Sequence, residues 1–365
     1  MHSYLLLWTI LPFCLAASVT LRSSTRVCNN SPDLCTRSYS NITYLGAHDS
    51  PFLRDSSTSN SDSGNQYYNS TIQLNAGVRL LTAQVHSNNG SLDLCHTSCG
   101  LLNAGLLSNW LTEIKAWMDT NPNDVVTVLL VNSDNASPSD LSLQFEAANI
   151  TSYTYTPPTT STAIATWPTL ESLIANGTRL MTFIASLDPS TNTATPYLMD
   201  EFTFIWENPY DVTSLSNFSC IPERPAAVDG NIEAAVSSGR MALMNHFLDE
   251  EQGFGIEIPD IGNISITNAP SGGTGNLGGT AANCTALWGK PPNYILVDFF
   301  DQGPAITTVD KLNGITPVGR TGPTASQMAS ATSAASPRPT TMSGCSTRSW
   351  TWATGVAAVL VWCFM

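Results

Sequence analysis

The run Tyr44-Leu45-Gly46-Ala47-His48-Asp49-Ser50 ends an apolar stretch with an imidazole, a carboxylate and a hydroxyl in consecutive positions. A second imidazole, His96, closes the run Ser91-Leu92-Asp93-Leu94-Cys95-His96. Two imidazoles with supporting carboxylates suit proton transfer around a phosphodiester. One takes the proton of an attacking hydroxyl, and the other gives one to the leaving oxygen. An imidazole titrates near neutral pH and can do either. Many His-Asp pairs only cap a helix or pin a loop, so the weight rests on whether other reactive groups reach the same place.

Elements able to bring them together recur along the chain. Residues 43–47 read as a buried strand, followed by a polar loop from Pro51 to Ser70 and a short helix closed by Gly77. Val78 to His86 reads as a strand, Asn88-Asn89-Gly90 as a hairpin turn, and Ser91 to His96 as the returning strand. Leu107, Trp110, Leu111, Ile114 and Trp117 or Met118 make one face of a helix over residues 106–120. Asp124 to Asn132 is apolar on both faces, as a parallel strand covered by helices must be. Further strands are expected at 179–185, 201–207, 240–247 and 293–300, with helices at 169–175, 231–238 and 305–313. Residues 133–165 and 253–283 show the least regularity, and the second reads as a long Gly-rich rim loop.

Strands alternating with helices over this length predict an α/β fold, an irregular TIM-type (β/α)8 barrel in one domain spanning residues 20–316. His48 and Asp49, Gln84 and His86, Asn132, Ser186, Glu207, His246 and Asp298 all fall at or just past the carboxyl ends of these strands. In a parallel barrel those ends share the face where chemistry is done. Blander roles suit several residues. His246, followed by Phe247-Leu248, reads as a buried, hydrogen-bonded histidine. Arg79 reads as an ion-pair strut, and Trp110, Trp117 and Met118 as helix core. Gly272-Gly273-Thr274-Gly275 neither follows a strand nor opens a helix, which excludes a phosphate loop.

The ends of the chain carry addresses. Residues 1–17 have the apolar core and small terminal residues of a secretory signal peptide. Residues 317–343, rich in Ser, Thr, Ala and Pro, cannot bury enough surface to order and read as a glycosylated stalk. The apolar tail within 344–365, preceded by small residues and a polar spacer, reads as a removed GPI signal with Ser343 (or Gly344) as the attachment site. Acceptor sequons begin at Asn41, Asn69, Asn89, Asn135, Asn149, Asn176, Asn217, Asn263 and Asn283. Outside the two terminal signals six cysteines remain, an even number that suits an oxidising compartment. The expected pairs are Cys28 with Cys35 and Cys95 with Cys99, which are local, and Cys220 with Cys284, which is what remains. The protein is thus expected to be secreted, at the cell surface through its anchor, and monomeric. A net charge of −14 with 14 Lys and Arg argues against a nucleic-acid partner.

The runs Gly46-Ala47-His48-Asp49-Ser50, Ala76-Gly77-Val78-Arg79, Leu94-Cys95-His96 and Asn121-Pro122-Asn123-Asp124-Val125-Val126 resemble, in order and spacing, the X domain of phosphatidylinositol-specific phospholipase C. The likeness is to the secreted fungal members of the PLC-like phosphodiesterase superfamily. It covers residues 40–132, and Leu296-Val297-Asp298 resembles the family's last barrel strand. The resemblance implies cleavage of a phospholipid or glycosyl-phosphoinositide through a cyclic phosphate. His48 would be the general base and His96 the general acid, with Asp298 orienting His48 and Asp49 assisting at the leaving group. Glu207 and Gln84 would contact substrate, with Tyr210 as a stacking wall.

The chain departs from the family in its second strand. Where bacterial members place an acid and an arginine, and animal members place acids that bind calcium, this chain has Thr82 and Gln84. Neither neutralises phosphate nor holds calcium or magnesium well, so no cofactor or metal site is expected and a metal route through Asp49 has a thin ligand set. Arg54 and Lys115 are the sequence-near replacement cations. Two other readings stay open: a catalytically weak or inactive barrel retained as a cell-surface or cell-wall protein, and a glycosidase with paired acids.

Overall fold

Val126-Thr127-Val128-Leu129-Leu130-Val131-Asn132 has no polar face to offer water, and it runs through the middle of a parallel sheet. The structure is a computed structural model that describes residues 26–252 and 256–328. The expected signal peptide and the Ser343 attachment site lie outside those residues. In chain order the strands are β1 (Tyr44–Ala47), β2 (Leu80–Asn88), β3 (Ser91–His96), β4 (Leu102–Leu106), β5 (Val126–Asn132), β6 (Leu180–Ala185), β7 (Met199–Asp200), β8 (Ile205–Glu207), β9 (Met241–Asn245), β10 (Asp249–Gln252), β11 (Ile256–Pro259) and β12 (Tyr294–Val297). The helices are α1 (Ser70–Ala76), α2 (Leu107–Thr120), α3 (Pro138–Ala147), α4 (Leu170–Ala175), α5 (Glu201–Phe204), α6 (Ile232–Ser237), α7 (Ile264–Thr267), α8 (Leu277–Trp288) and α9 (Ala305–Asn313).

The main sheet runs β7-β6-β5-β2-β1-β12-β9-β8, parallel at every step. It curls into a half-barrel of the expected α/β type, with β7 and β8 at its two edges and α5 in the chain between them. An antiparallel flap of β3 and β4 extends from the far end of β2, and β10 and β11 form a separate hairpin.

Strand periodicity divides the core into two layers. Val126, Val128 and Leu130 of β5 belong to the outer layer with Leu107, Trp110, Leu111 and Ile114 of α2. Leu129 belongs to the inner one, with Tyr44, Leu80, Phe183, Leu243, Tyr294 and Leu296. Aromatic rings fill the base of this interior. Tyr39, fully buried, shares hydroxyl hydrogen bonds with Thr127 (2.5 Å) and Tyr294 (2.7 Å). The carboxyl ends of the strands are left to enclose an opening.

Gly46 is required by packing on the strand that carries His48. A Cβ there would lie 2.8 Å from both Leu80 and Leu296 on the neighbouring strands. Gly77 closes α1 in the left-handed conformation (φ 111°), where a side chain would also meet Arg320.

Several expectations are corrected. Residues 201–207 do not form one strand: Asp200 caps a helical turn, and only Ile205–Glu207 is extended. The two-residue β7 gave too short a pattern to read, and β4 was hidden by Asn103, Ala104 and Gly105. Residues 133–165 contain α3, whose apolar face is interrupted. Residues 253–283 hold part of the β10–β11 hairpin, α7 and the start of α8, whose Gly278 packs against the Pro270 backbone. The chain beyond residue 316 begins along the barrel: Arg320 forms a double ion pair with Asp310, and Val318 N donates to Asn30 O (2.8 Å).

Candidate active site

β1 delivers His48 and Asp49 to the rim, and the backbone turns sharply there. His48 N continues the ladder onto Val297 O (2.8 Å), while Asp49 adopts a left-handed conformation (φ 47°). Thr82 Oγ1 on β2 accepts the Asp49 N–H (2.8 Å). Gln66 clamps the turn from above, donating to His48 O (2.8 Å) and Val297 O (3.1 Å). At the end of β12, Asp298 is buried, and Phe299 is also left-handed (φ 42°). Non-glycine residues held at positive φ on consecutive rim turns mark local strain at the site.

His48 Nδ1–H donates to Asp298 Oδ1 (2.9 Å), which also accepts from Asn65 Nδ2 (3.1 Å). The ring therefore directs Nε2 at the opening. His48 Nε2 lies 3.8 Å from Asp49 Oδ2, and His96 Nε2 lies 3.7 Å from the same oxygen. The two imidazoles thus flank one carboxylate oxygen, which Gln84 Nε2 also contacts (2.7 Å). Thr97 N donates to Gln84 Oε1 (2.8 Å), tying the His96 loop to β2. Phe247 packs on His48, and Phe52 meets His96 edge-on.

The two rings are held in opposite charge states. For His48, burial opposes protonation, but Asp49, Asp298 and the more distant Asp249 outweigh it and push the imidazole up to about 9. For His96, burial pushes the imidazole down; Asp49 opposes this, and the charge of His48 reinforces it. At neutral pH the free site carries its proton on His48. Burial, and then Asp298, also push Asp249 up to about 8.

Across the opening lies a second polar group. Glu207, at the end of β8, is ion-paired to Arg224 and accepts from Asn245 Nδ2 (3.1 Å). Arg224 lies over the Tyr210 ring, 4.1 Å from its centroid. Glu201 is buried beside Glu207. Burial first, and then Glu207, push its carboxyl well above the usual carboxylate range. Its Oε1 has no protein partner. One pocket of about 200 Å³, open to solvent, is lined by His48, Asp49, Gln84, Glu201, Glu207, Tyr210, Arg224, Asn245 and Phe247 among others.

The structure therefore brings His48, Asp49, His96, Asp298 and Gln84 together, with Glu207 and Tyr210 on the far wall. It does not bring in the expected cations. Arg54 is paired with Asp62 (2.6 Å), and Lys115 with Asp119 on the surface of α2 (2.8 Å). The pocket's fixed cation is Arg224, which sequence reasoning missed because it follows a turn-rich loop with no strand pattern. His246 is buried, bonded to Thr267 O (2.9 Å) and pushed down by burial to about 4, away from the chemistry. His86 lies apart beside Asp134 (3.5 Å). A calcium or magnesium ion does not fit. The oxygen of Asp49 that faces the opening is covered by an amide and two imidazoles, and Thr82 is engaged by the Asp49 N–H. Among the described residues no group of three or more His, Cys, Asp or Glu is placed to hold a metal ion.

Disulfides join Cys28 to Cys35, Cys95 to Cys99 and Cys220 to Cys284. Of the sequon asparagines, Asn263 is half-buried; Asn41, Asn69, Asn89, Asn135, Asn149, Asn176, Asn217 and Asn283 are exposed. No helix among the described residues is long and apolar enough to cross a membrane.

The family model for the PI-PLC X domain matches residues 34–313. A protein of Arthroderma benhamiae named PI-PLC X domain-containing protein 1 is 36% identical over 291 residues, covering 79% of this chain and 90% of that one. An uncharacterized secreted protein of the same fungus is 38% identical over 306 residues, covering 82% of this chain and 66% of its own length. Among solved structures, the phosphatidylinositol-specific phospholipase C of Listeria monocytogenes aligns at 16% identity with a TM-score of 0.46, over 76% of this chain and 95% of that one. The chain belongs to the PI-PLC X domain family.

Proposed function

We propose that the protein is a secreted, GPI-anchored phosphoric diester hydrolase that cleaves a phospholipid-type or glycosyl-phosphoinositide diester through a cyclic phosphate. The observation that carries this reading is the pair of imidazoles whose Nε2 atoms flank one oxygen of Asp49 at 3.8 and 3.7 Å. The hydroxyl adjacent to the phosphoryl group attacks phosphorus, and its proton passes to His48 Nε2. The bond from phosphorus to the leaving oxygen breaks as His96 Nε2 supplies a proton to it. Asp298 holds the His48 ring and stabilises its cation. The step starts from the minor arrangement, in which the shared proton sits on His96 and His48 is neutral, and it ends with His48 charged and His96 neutral, the arrangement the free site favours. Hydrolysis of the cyclic product then runs the proton transfers in reverse: His96 takes a proton from water, and His48 returns one to the ring oxygen.

The far wall supports recognition of a polyhydroxylated headgroup. Arg224, Glu207 and Asn245 offer donors and acceptors, Glu201 has an unpartnered oxygen, and Tyr210 provides a face. Thr82 and Gln84 favour the alternative, a barrel retained for surface display without turnover, because they replace charged groups with neutral ones. The glycosidase reading gains nothing, since Glu201 and Glu207 lie side by side, with Glu207 ion-paired to Arg224, and do not face each other across the opening.

The deciding experiment follows a phosphoinositide by 31P NMR with wild type, His48→Ala and His96→Ala. Transient cyclic phosphate with wild type, and a loss of about 10²–10⁴-fold in each variant, is expected. Equal slow turnover by all three removes the catalytic reading and leaves the scaffold.

A further inference from the structure

The segments leaving the carboxyl ends of the barrel strands form the face around the pocket: residues 48–69, 86–106, 133–137, 186–198, 208–231, 246–276 apart from 253–255, and 298–304. They carry sixteen Asp and Glu, twelve of them apart from the buried Asp49, Asp93 and Asp298 and the half-buried Asp249, and only two basic residues, Arg54 and Arg224. Both basic residues are already paired, with Asp62 and Glu207. Other arginines sit at the opposite end: Arg79, Arg179 and Arg240 immediately precede β2, β6 and β9.

The densest carboxylate group belongs to the β10–β11 hairpin, where Glu250, Glu251 and Glu257 are exposed and Asp249 is half-buried. This hairpin is fixed beside the mouth. Asp249 N donates to Val212 O (2.9 Å), and Asp260 N to Leu248 O (2.8 Å). Phe247, two residues earlier, packs on His48. The loop over the other side of the rim, Asp55 to Ser63, is Ser, Thr, Asn and Asp throughout. The exposed apolar side chains of this face, Leu101 and Leu106, Tyr210 and Ile221, Ile256 and Ile266, are spread two to each of three segments, and Tyr210 lies beneath Arg224. The chain beyond α9 departs at the opposite end, where Asn313 Nδ2 donates to Thr43 O (2.7 Å) just before β1.

An anionic bilayer recruits proteins through basic residues or an apolar wedge. A face with this excess of carboxylates is repelled within a Debye length of such a surface. We infer that the pocket takes its substrate from water: a soluble phosphodiester with a hydroxyl beside the phosphorus, of the deacylated glycerophospho-polyol class, and not a lipid held in an anionic bilayer. This rests on the phosphodiesterase reading and replaces its lipid substrate with the deacylated diester of the same headgroup.

The test compares kcat/KM on glycerophosphoinositol in solution with that on phosphatidylinositol in phosphatidylcholine vesicles, for wild type and for the Glu250→Lys, Glu251→Lys, Glu257→Lys triple variant. These side chains are exposed and touch none of the groups assigned to chemistry. Wild type is expected to favour the soluble diester at least about tenfold, with a vesicle rate that rises with salt as repulsion is screened. The triple variant is expected to gain about tenfold or more on vesicles at low salt, to lose that gain at high salt, and to stay within about threefold of wild type on the soluble diester. Faster cleavage of the vesicle lipid by wild type, or no vesicle gain in the variant, overturns this inference while leaving the phosphodiesterase reading standing. Turnover of neither diester by either protein overturns both.

Discussion

His48 lies flat against Phe247, with ring centroids 3.7 Å apart and planes 9° from parallel. Phe247 is itself buried at the exit of β9, so the base is held by a hydrogen bond on one edge and an aromatic face on the other. The face of a phenyl ring also favours a cation above it. Replacing Phe247 with Leu keeps most of the volume and costs about 1 kcal/mol of stability. It removes the flat support, so kcat is expected to fall about tenfold with KM little changed. Steady-state kinetics beside a denaturant titration separate the two effects. A loss of stability with unchanged kcat would reduce Phe247 to core packing.

The opposite charge states of the two imidazoles set the pH behaviour. Activity requires one proton shared between them, so it falls as pH rises through the His48 value of about 9 and again below the lowered value of His96. Asp298→Asn removes a carboxylate that holds the His48 proton, so the alkaline limb is expected to move to lower pH. The His48 imidazole also contributes to stability. Its folded value lies above its unfolded one, so its stabilisation is full below about pH 6.5 and is lost as pH rises through about 9. A decline in melting temperature across that window is expected in wild type and should be shallower in His48→Ala. An alkaline limb that stays fixed in Asp298→Asn would show that another group governs it.

The sequence was most legible where apolar runs were long or motif residues were adjacent. β1, β2, β5, β6, β9 and β12 each carry enough β-branched or apolar residues to be read, and the reactive groups at their ends follow from that placement. Asp298 was matched with His48 only through the family resemblance, and the structure shows why the match works: both end neighbouring strands, Ala47 pairing with Val297. The far wall was half legible. Glu207 ends a strand, but its partner Arg224 comes from an irregular segment that reaches it only by a bridge between Glu207 and Arg224. Nothing local marks such a contact. The face of carboxylates around the mouth was hidden for the same reason, since its members are scattered over seven segments and converge only when the sheet curls.

Arg224 provides the far wall's fixed positive charge, and its guanidinium is held between Glu207 and the Tyr210 ring. Burial opposes its charge, but Glu207 and Glu201 more than compensate, so its proton is held more firmly than usual. Arg224→Met keeps the stem over Tyr210 and removes the charge. A charged hydrogen bond to substrate is worth about 1.5–3 kcal/mol, so kcat/KM is expected to fall about 10–100-fold, mainly through KM. Arg224→Lys is expected to recover little of this, because an ammonium does not reproduce the planar fork. Unchanged KM in the Met variant would remove Arg224 from headgroup recognition.

The Cys95–Cys99 bridge closes a tight loop around Thr97, a β-branched residue held at φ 58° next to His96. That conformation costs about 1–2 kcal/mol for a residue with a Cβ, and it persists because the bridge and the Thr97 N–H bond to Gln84 hold the loop. Cys95→Ser with Cys99→Ser frees Thr97 to relax, and His96 moves with it. The chain-entropy model gives a loss of about 2 kcal/mol for so short a loop, and kcat is expected to fall tenfold or more. Thr97→Gly discriminates between the two effects. With the bridge intact it removes the conformational cost while His96 keeps its place, so kcat near wild type is expected. Adding Thr97→Gly to the double serine variant should restore some stability but little kcat, because the loop is no longer tied. Full recovery of kcat in that triple variant would mean that relief of strain at Thr97, and not the covalent tie, governs the position of His96.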